Sequence, residues 1–479
     1  MAISDNARAL RETFVSGLTG TTHAEAAALA VVYPAAMWCF EWLRERRAVS
    51  GKWASAALEF VVTVAPLVAA YTVLSHVALW IAAGLALLPA LWHFFWESSV
   101  ERRARLLAAD ELSAVRAQPA FLSAWRSSLL LTTCVCILAV DFRAFPRRFG
   151  KTETYGVSPM DGGVGGFVLS AGLVAPHARA VLGARSARGG WRAFVRRAKR
   201  VALTTALGVA RLLSTRAVNY QHHTSEYGAH WNFFFTLAAI QALSLAVPVG
   251  ACVGARCTPL YAGLALAFAY QALLSYGGLS AAVLSEDRGP SFVAQNREGL
   301  SSTIGLLALY WVGAGVGQRI YRPRARAERA ARRAERELLG AFFASALVAW
   351  GAGEHVERPS RRLANLAYCA WVLAVALLIM LALRFVEVQR GARAPPRLAA
   401  AASTWSLPLF LFANVLTGAC NLCVDTLAVG RGAAFAILVA YAAVLALALV
   451  ALDACASARR GRQTFVVHAY QGGGKVYSF

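Results

Sequence analysis

The sequence predicts an all-α, polytopic membrane protein with about thirteen transmembrane helices, and three observations support this. Of the 479 residues, 58% are hydrophobic and only 15% are charged, against about 25% charged residues in an average soluble protein. The mean hydropathy is +0.51. Apolar runs of roughly 17–24 residues recur along the chain, and a helix needs about 20 apolar residues to cross the hydrocarbon with its amides bonded internally. The composition excludes a disordered or disulfide-scaffold chain and disfavours a soluble enzyme.

The predicted spans follow one another with polar connections. We place them at residues 24–43, 54–74, 76–96, 125–140, 157–178, 201–215, 231–250, 259–280, 300–318, 338–352, 364–383, 405–428 and 433–454. The two shortest runs, 201–215 and 338–352, are rich in alanine. We interpret the chain as a single membrane domain, residues 1–479. It comprises a lumenal segment at 1–23, the bundle at 24–454 and a cytosolic tail at 455–479.

The basic residues determine the predicted orientation. The chain has 48 Lys and Arg against 25 Asp and Glu, a net charge of +23. Loops on one side of the predicted bundle, counted with the adjoining span ends, hold 34 basic residues, and those on the other side hold 13. Cytosolic loops collect Lys and Arg, so we expect a lumenal N-terminus and a cytosolic C-terminus. No basic stretch lies in a soluble domain with base-stacking aromatics, which argues against a nucleic-acid partner.

One predicted lumenal loop breaks this charge pattern. Residues 141–155, DFRAFPRRFGKTETY, contain Asp141, Arg143, Arg147, Arg148 and Lys151. A carboxylate at the end of a span can act as a general base in a partly dry site, and nearby cations can bind a phosphate or stabilise an oxyanion. The alternatives are an Asp141–Arg143 ion pair that only ends the helix, and a misplaced span.

A second candidate loop lies at 219–236. It contains His222, His223, Glu226, His230 and Asn232. Their spacing is loose and does not place the three histidines on one helix face, so we predict no metal site. One of them, His230, directly precedes a span and is a candidate for proton transfer or substrate binding.

The twelfth predicted span carries a polar stripe. Asn414, Thr417, Asn421 and Asp425 are spaced three, four and four residues apart, which places them on one face of a helix. In lipid, such a stripe must face protein or a wet cavity. It is interpreted as interhelical hydrogen bonding or as the wall of a site, and an aspartate at its end favours the site wall.

Two further patterns have structural interpretations. Asp161 at the entry of the fifth span predicts a helix N-cap, and the G-x-x-x-G pattern of Gly162 and Gly166 predicts close helix packing. Cys420 and Cys423 form a C-x-x-C pair inside an apolar run. A zinc site of this kind needs a second pair, so these cysteines are predicted to be packing residues.

Five blocks of the sequence resemble one family. They are RETFVSGLTGTT at 11–22, DFRAFPRRFGKTETYGVSPMD at 141–161, SEYGAHWNFFFT at 225–236, NREGLSS at 296–302 and LFANVLTGACNLCVDT at 411–426. In content and order they are similar to the inositol acyltransferases of glycosylphosphatidylinositol (GPI) anchor biosynthesis, known as PIG-W in animals and GWT1 in fungi. The blocks extend over nearly the whole chain. Departures from the family occur at Ala419, Cys420, Cys423 and Val424.

The resemblance implies a reaction in the endoplasmic reticulum membrane. An acyl group, usually palmitoyl, moves from acyl-CoA to the inositol 2-hydroxyl of glucosaminyl-phosphatidylinositol, with acyl-CoA as co-substrate and no other cofactor. A hydroxyl is a poor nucleophile and needs a base. We therefore interpret Asp141 as the base, with His230 in reserve, and Lys151 as the cation that stabilises the oxyanion or keeps the carboxylate ionised. Candidate substrate-binding residues are Arg147 and Arg148, for the lipid phosphate, and Asn232, Asn414, Asn421 and Asp425.

Two rival classes stay open on the sequence alone. A transporter or lipid flippase would also have many spans with buried polar residues, although the two halves show no matching broken helices of the inverted-repeat type. A histidine-dependent membrane O-acyltransferase would share the reaction but not the five blocks. No G-x-S-x-G motif occurs in the sequence, which favours direct transfer without an acyl-enzyme.

Overall fold

The computed structural model describes residues 13–14, 16–46, 51–97, 101, 104–105, 118–180, 190–217, 224–247, 259–321, 328–391 and 395–471. Across these ranges the regular secondary structure is helical. The β-pairing in them is one isolated bridge, between Thr21 and Val157.

The first half of the chain, up to Leu245, forms ten α-helices in the described ranges. Its helices are α1 (His23–Arg46), α2 (Lys52–Glu59), α3 (Ala65–Tyr71), α4 (Ala78–Phe95), α5 (Ala120–Ala139), α6 (Gly162–Leu173), α7 (Pro176–Arg179), α8 (Gly190–Ala217), α9 (Thr224–Tyr227) and α10 (Phe233–Leu245). A π-helical turn at Phe60–Val64 joins α2 to α3. Short 3-10 turns lie at Ser75–Val77 and Arg147–Phe149.

The second half completes the bundle. Its helices are α11 (Pro259–Tyr276), α12 (Leu279–Leu284), α13 (Phe292–Gln295), α14 (Arg297–Tyr321), α15 (Glu328–His355), α16 (Leu366–Arg390), α17 (Arg397–Thr404), α18 (Ser406–Cys423) and α19 (Arg431–Gln471).

Eight helical segments in the described ranges are long and apolar enough to cross a membrane. They are His23–Arg46, Trp53–Tyr71, Ser75–Phe95, Ala120–Ala139, Arg297–Tyr321, Leu366–Arg390, Ser406–Cys423 and Arg431–Ser457. The prediction of an all-α polytopic membrane protein is thereby confirmed.

The predicted count of thirteen spans is not confirmed. The five remaining predicted spans fall on α6, α8, α10, α11 and α15. The helices α6 and α10 have 12 and 13 residues, short of the roughly 20 that a complete crossing needs. The helices α8 and α15 have 28 residues each, but several arginines in their N-terminal halves lower the apolar character that a crossing requires.

The centre of the bundle is formed by α5, α14 and α16. In this core, α14 contacts α6 and α11, and α16 contacts α1 and α15. Trp125 of α5 and Tyr368 of α16 are fully buried. At Gly172, α6 lies so close to α14 that the Tyr310 carbonyl leaves no room for a Cβ, whereas Gly166 faces the side chain of Leu129. Glycine therefore permits close packing of α6, one to two turns beyond the predicted G-x-x-x-G pair.

Three loops are held together at one end of the bundle. The segment between α5 and α6, residues 141–161, is the centre of this contact. Its Glu153 N–H donates to the carbonyl of Leu18 at 2.9 Å, and its Gly156 N–H donates to the carbonyl of Pro359 at 2.8 Å. Main-chain hydrogen bonds thus fix the 141–161 segment against the chain that precedes α1 and the loop that precedes α16.

Candidate functional site

A cavity of about 860 Å³ lies inside the bundle. Helices α1, α3, α5, α6, α8, α10, α16 and α18 form its walls with α9 and the 141–161 segment. Along α5 the lining residues run from Trp125 to Asp141, about 24 Å at 1.5 Å per residue. Hydrophobic side chains dominate most of this length. Polar lining side chains are Tyr33, Tyr71, Ser128, Thr132, Thr133, Asp141, Lys151, Arg211, Ser214, Glu226, Tyr227, Asn232, Asn414, Thr417 and Asn421.

Asp141 lies at one end of this cavity, two residues beyond the end of α5. The Nδ2 of Asn421, in the last turn of α18, donates a hydrogen bond to its Oδ2 at 2.7 Å. Arg143 is exposed and forms no ion pair with it in the described part of the chain. The predicted base and the predicted polar stripe therefore meet on one wall of the cavity.

Lys151 lines the same cavity, but its ion pair is with a different carboxylate. The Nζ of Lys151 lies 2.6 Å from Oε1 of Glu226 on α9. Burial raises the pKa of Glu226, but the nearby positive charges, Lys151 first, outweigh burial and lower this pKa to about 2. Glu226 is consequently ionised at neutral pH and holds the ammonium of Lys151 by charge.

Arg361, in the loop before α16, extends this pair into a chain of alternating charges. Its Nη2 lies 3.6 Å from Oε1 of Glu226, and its Nε donates to Oδ1 of Asp161 at 2.9 Å. Burial lowers the pKa of Arg361, but the two carboxylates outweigh this effect and raise it. Asp161 precedes α6 as expected, although its side chain binds the N–H of Thr152 and the hydroxyl of Ser158 rather than capping that helix.

Two of the predicted substrate-binding residues, Asn232 and Asn414, line the cavity and also form hydrogen bonds to the main chain of nearby helices. Asn232 caps α10: its Oδ1 accepts from the N–H groups of Phe234 and Phe235 at 3.0 and 3.4 Å, and its Nδ2 donates to the carbonyl of Gly208. Asn414 Nδ2 donates to the carbonyl of Phe410 one turn earlier, at 2.7 Å. These side-chain hydrogen bonds of Asn232 and Asn414 are therefore explained by helix structure alone.

The structure does not bring Arg147 and Arg148 into the cavity. Arg147 Nη2 donates to the carbonyls of Val140, Phe142 and Phe145, just beyond the end of α5, at 2.9–3.2 Å. Burial lowers its pKa to about 10. Arg148 instead forms a bidentate ion pair with Glu25 of α1, with Nη2 2.8 Å from Oε1. Both side chains stabilise the end of the bundle around the site.

His230 and Asp425 also lie outside the cavity lining. The N–H of His230 donates to Oδ1 of Asn296 at 2.8 Å, and its Nε2 lies 3.1 Å from Oε1 of Gln295. The helix α18 ends at Cys423, and Asp425 is exposed beyond that end. Asp425 therefore does not continue the face that carries Asn414, Thr417 and Asn421, because helical spacing stops before it.

The sequence predicted no metal site at the three histidines of the 219–236 loop. Two of them, His222 and His223, lie outside the described ranges. Within the described ranges, no group of three or more His, Cys, Asp or Glu side chains is arranged to bind a metal.

Sequence reasoning did not assign two residues of the charge chain. Glu226 was named only as a residue of the 219–236 loop, and Arg361 was given no role. A signal for Arg361 was present, because the predicted lumenal loop 353–363 carries three arginines, Arg358, Arg361 and Arg362. Basic residues on that side of the membrane are unexpected, and the excess indicates paired carboxylates nearby.

The fold and the cavity define the class: a polytopic α-helical membrane protein with an internal, mostly apolar cavity that has charged groups at one end. The chain belongs to the GWT1 family, whose model matches residues 7–452. It is 34% identical to GPI-anchored wall transfer protein 1 of Aspergillus oryzae, over 93% of this chain and 97% of that protein. It is 36% identical to an uncharacterized protein of Arabidopsis thaliana, over 83% and 87% of the two chains. A phosphatidylinositol-glycan biosynthesis class W protein of Dictyostelium discoideum is 30% identical over 70% and 73%.

Proposed function

We propose that the protein is an acyl-CoA-dependent inositol acyltransferase of GPI-anchor biosynthesis. It transfers a palmitoyl group to the inositol 2-hydroxyl of glucosaminyl-phosphatidylinositol in the endoplasmic reticulum membrane. The observation that carries this proposal is a single cavity with Asp141 and Lys151 at one end and an apolar wall behind them. Two relatives are named for GPI-anchored wall transfer and for phosphatidylinositol-glycan biosynthesis, which supports the glycolipid acceptor.

The dimensions of the cavity suit a fatty acyl thioester. An extended chain of sixteen carbons is about 19 Å long, and the wall of α5 offers about 24 Å between Asp141 and Trp125. Side chains such as Leu129, Ile137 and Phe167 supply apolar contact along this depth. In the proposal the acyl chain occupies this apolar part, and its thioester lies next to Asp141.

The chemistry is a direct transfer. The carboxylate of Asp141 takes the proton of the inositol 2-hydroxyl while that oxygen attacks the thioester carbonyl carbon. Negative charge develops on the carbonyl oxygen, and the ammonium of Lys151 stabilises it. The carbon–sulfur bond then breaks, and the departing CoA thiolate takes the proton from Asp141. The products are the inositol ester and CoA, and the carboxylate is ionised again.

Asn421 fits two tasks in this scheme. Its Nδ2 bond to Asp141 at 2.7 Å fixes the orientation of the carboxylate. Its Oδ1 is buried and accepts no hydrogen bond from the described residues, so it can accept one from a second inositol hydroxyl. A buried acceptor without a partner is costly, and a polyol substrate would remove that cost.

The orientation of the site follows from its neighbours. Glu25, in the first turn of α1, pairs with Arg148 of the 141–161 segment, so the Asp141 end lies on the side where α1 begins. With the N-terminus predicted to be lumenal, the proposed reaction takes place at the lumenal end of the bundle. Protease protection tests this topology: an N-terminal tag should be protected in sealed microsomes and a C-terminal tag digested, and equal protection of both tags contradicts it.

The activity is tested with the purified full-length protein in detergent. Labelled palmitoyl-CoA and glucosaminyl-phosphatidylinositol should give a labelled lipid, and the 2-O-methyl analogue of the acceptor should give none because its nucleophile is blocked. Wild-type protein that forms no ester, but moves the glycolipid or acyl-CoA across a liposome bilayer, would instead be a flippase or transporter.

A further inference from the structure

We propose that Glu226 is a positioning residue for this reaction, which fixes the ammonium of Lys151 at the polar end of the cavity, and that Arg361 fixes Glu226 in turn. This inference rests on the proposed function. Lys151 is the proposed oxyanion partner, yet it projects from a loop and not from a helix or strand. A lysine side chain has four rotatable methylenes and a strongly hydrated head group. A partner that restricts it therefore has a direct effect on catalytic geometry.

The first restraint acts on the ammonium. Lys151 Nζ lies 2.6 Å from Glu226 Oε1, and both residues line the cavity. The side chain of Lys151 is 42% exposed, so the surrounding packing alone does not hold it. The short contact to a carboxylate that itself lies at the cavity wall defines where the positive charge points.

The second restraint acts on the backbone next to Lys151. The N–H of Thr152 donates to both carboxylate oxygens of Asp161 at 3.2 Å. Asp161 is fully buried and also forms the 2.9 Å contact with Arg361. The peptide that follows Lys151 is thus fixed to the same arginine that contacts Glu226.

Arg361 joins the two restraints. Its side chain is only 6% exposed, and it contacts Asp161 and Glu226 together. A buried guanidinium is tolerated only when carboxylates compensate its charge, and here it has two. Asp161, Arg361, Glu226 and Lys151 form an alternating series of four charges with no net charge, so each member depends on its neighbours for its position.

Glu226 is unsuited to act as the base itself. A carboxylate whose pKa is held near 2 binds a proton weakly at neutral pH. Its oxygen is also engaged with two cations. These properties fit a fixed counter-charge, and they leave proton transfer to Asp141.

The test compares Glu226→Gln with a matched control, Glu298→Gln, in purified full-length protein. Glu298 is buried and pairs with two arginines, Arg288 and Arg362, but does not line the cavity. We expect Glu226→Gln to lower kcat about 10- to 100-fold, the range for small displacements of a catalytic group, with the KM for acyl-CoA within about threefold of wild type. Glu226→Asp should restore part of kcat, and Glu298→Gln should keep kcat within about twofold once corrected for folded protein.

A double-mutant cycle separates positioning from a general structural effect. If Glu226 acts through Lys151, Glu226→Gln combined with Lys151→Met should be no slower than Lys151→Met alone. Multiplicative effects, or wild-type kcat in Glu226→Gln, overturn the proposal. If Glu226→Gln does not accumulate, Glu226→Asp replaces it, because this change keeps the charge but withdraws the carboxylate by one methylene. Unchanged kcat in that variant likewise overturns it. Failure of the wild type to acylate inositol would contradict the proposed function instead.

Discussion

Both ends of the helical bundle carry carboxylates with hydrogen-bond partners, but the partners differ. At the end away from Asp141, Oε1 of Glu387 accepts a hydrogen bond from the N–H of Ala120 at 3.0 Å, where α5 begins. Glu59 accepts from two N–H groups in the first turn of α17, at 2.9 Å each. At the other end, Asp141 and Glu226 line a cavity and contact the side chains of other segments.

The carboxylates differ in burial and in their partners: Glu59 and Glu387 are buried, whereas Asp141 and Glu226 are partly exposed at the cavity. A carboxylate that accepts from the free N–H groups of a helix start completes that helix. A carboxylate at a cavity wall with side-chain partners stays accessible to a ligand. An acidic residue in the bundle therefore indicates function only together with its partners, and the substitutions below test this distinction.

The largest effect is expected for Asp141→Asn. Asparagine keeps the shape of the side chain but cannot take a proton, and loss of a general base costs about 10²–10⁴ in rate. Binding of acyl-CoA should survive, because the apolar wall is unchanged. Turnover and acyl-CoA affinity are measured on purified protein of normal abundance. Wild-type turnover would end the assignment of Asp141 as the base.

The next largest effect is expected in the stability of the folded protein at acidic pH, through the Glu226 carboxylate. Its pKa is about 2 in the folded protein against 4.5 for the free side chain, so the folded state favours the ionised form. The resulting stabilisation is complete above about pH 4.5 and is lost as the pH falls towards 2, on the order of 3 kcal/mol in total. Thermal unfolding of the detergent-solubilised protein between pH 6 and pH 3 should show the greater part of this loss.

Glu226→Gln should flatten that part of the pH profile, because glutamine does not titrate. The variant is compared with wild type over the same pH range. A profile as steep as that of wild type would assign the acid sensitivity to other carboxylates.

A smaller effect is expected on the polar stripe of α18. Asn421→Leu removes the bond to the Asp141 carboxylate, and a hydrogen bond to a charged group contributes about 1.5–3 kcal/mol, or roughly 10- to 100-fold in turnover. Asp425→Leu should have little effect because Asp425 lies beyond the end of α18, and Cys423→Ala serves as the conservative control. Similar losses in all three variants would instead support a packing role for the whole segment.

The smallest effect is expected at the opposite end of the bundle. Glu387→Gln keeps an oxygen for the N–H of Ala120 but removes the charge that faces Arg384, at 3.3 Å. We expect a loss of about 1 kcal/mol in stability and unchanged turnover per folded molecule. Thermal unfolding and kcat are measured on the same preparation. A selective loss of kcat would contradict the assignment of Glu387 to helix completion.

Local patterns predicted part of the site. The position of Asp141 at the end of a span, and the three- and four-residue spacing of Asn414, Thr417 and Asn421, were readable because both depend on one helix each. The structure places these residues on one cavity. The extension of the stripe to Asp425 was wrong, since α18 ends at Cys423 and the periodicity ends with it.

Contacts between distant loops were not predictable from the sequence. The partner of Lys151 is 75 residues further along the chain, and Arg361 lies 200 residues from Asp161. Spacing in the sequence carries no information on such pairs. The same limit applies to the count of spans, because short helices such as α6 and α10 have the composition of a span without its length.

The main-chain hydrogen bond from the N–H of Glu153 to the carbonyl of Leu18 has a practical consequence for tagging the protein. Residues just before α1 are hydrogen-bonded to the segment that carries Lys151, so we expect the proposed activity to depend on them. A fusion partner attached close to Leu18 should therefore disturb the geometry around Lys151 while every span still inserts. Proteolytic cleavage between residues 18 and 23 should likewise remove activity while the helices remain inserted in the membrane.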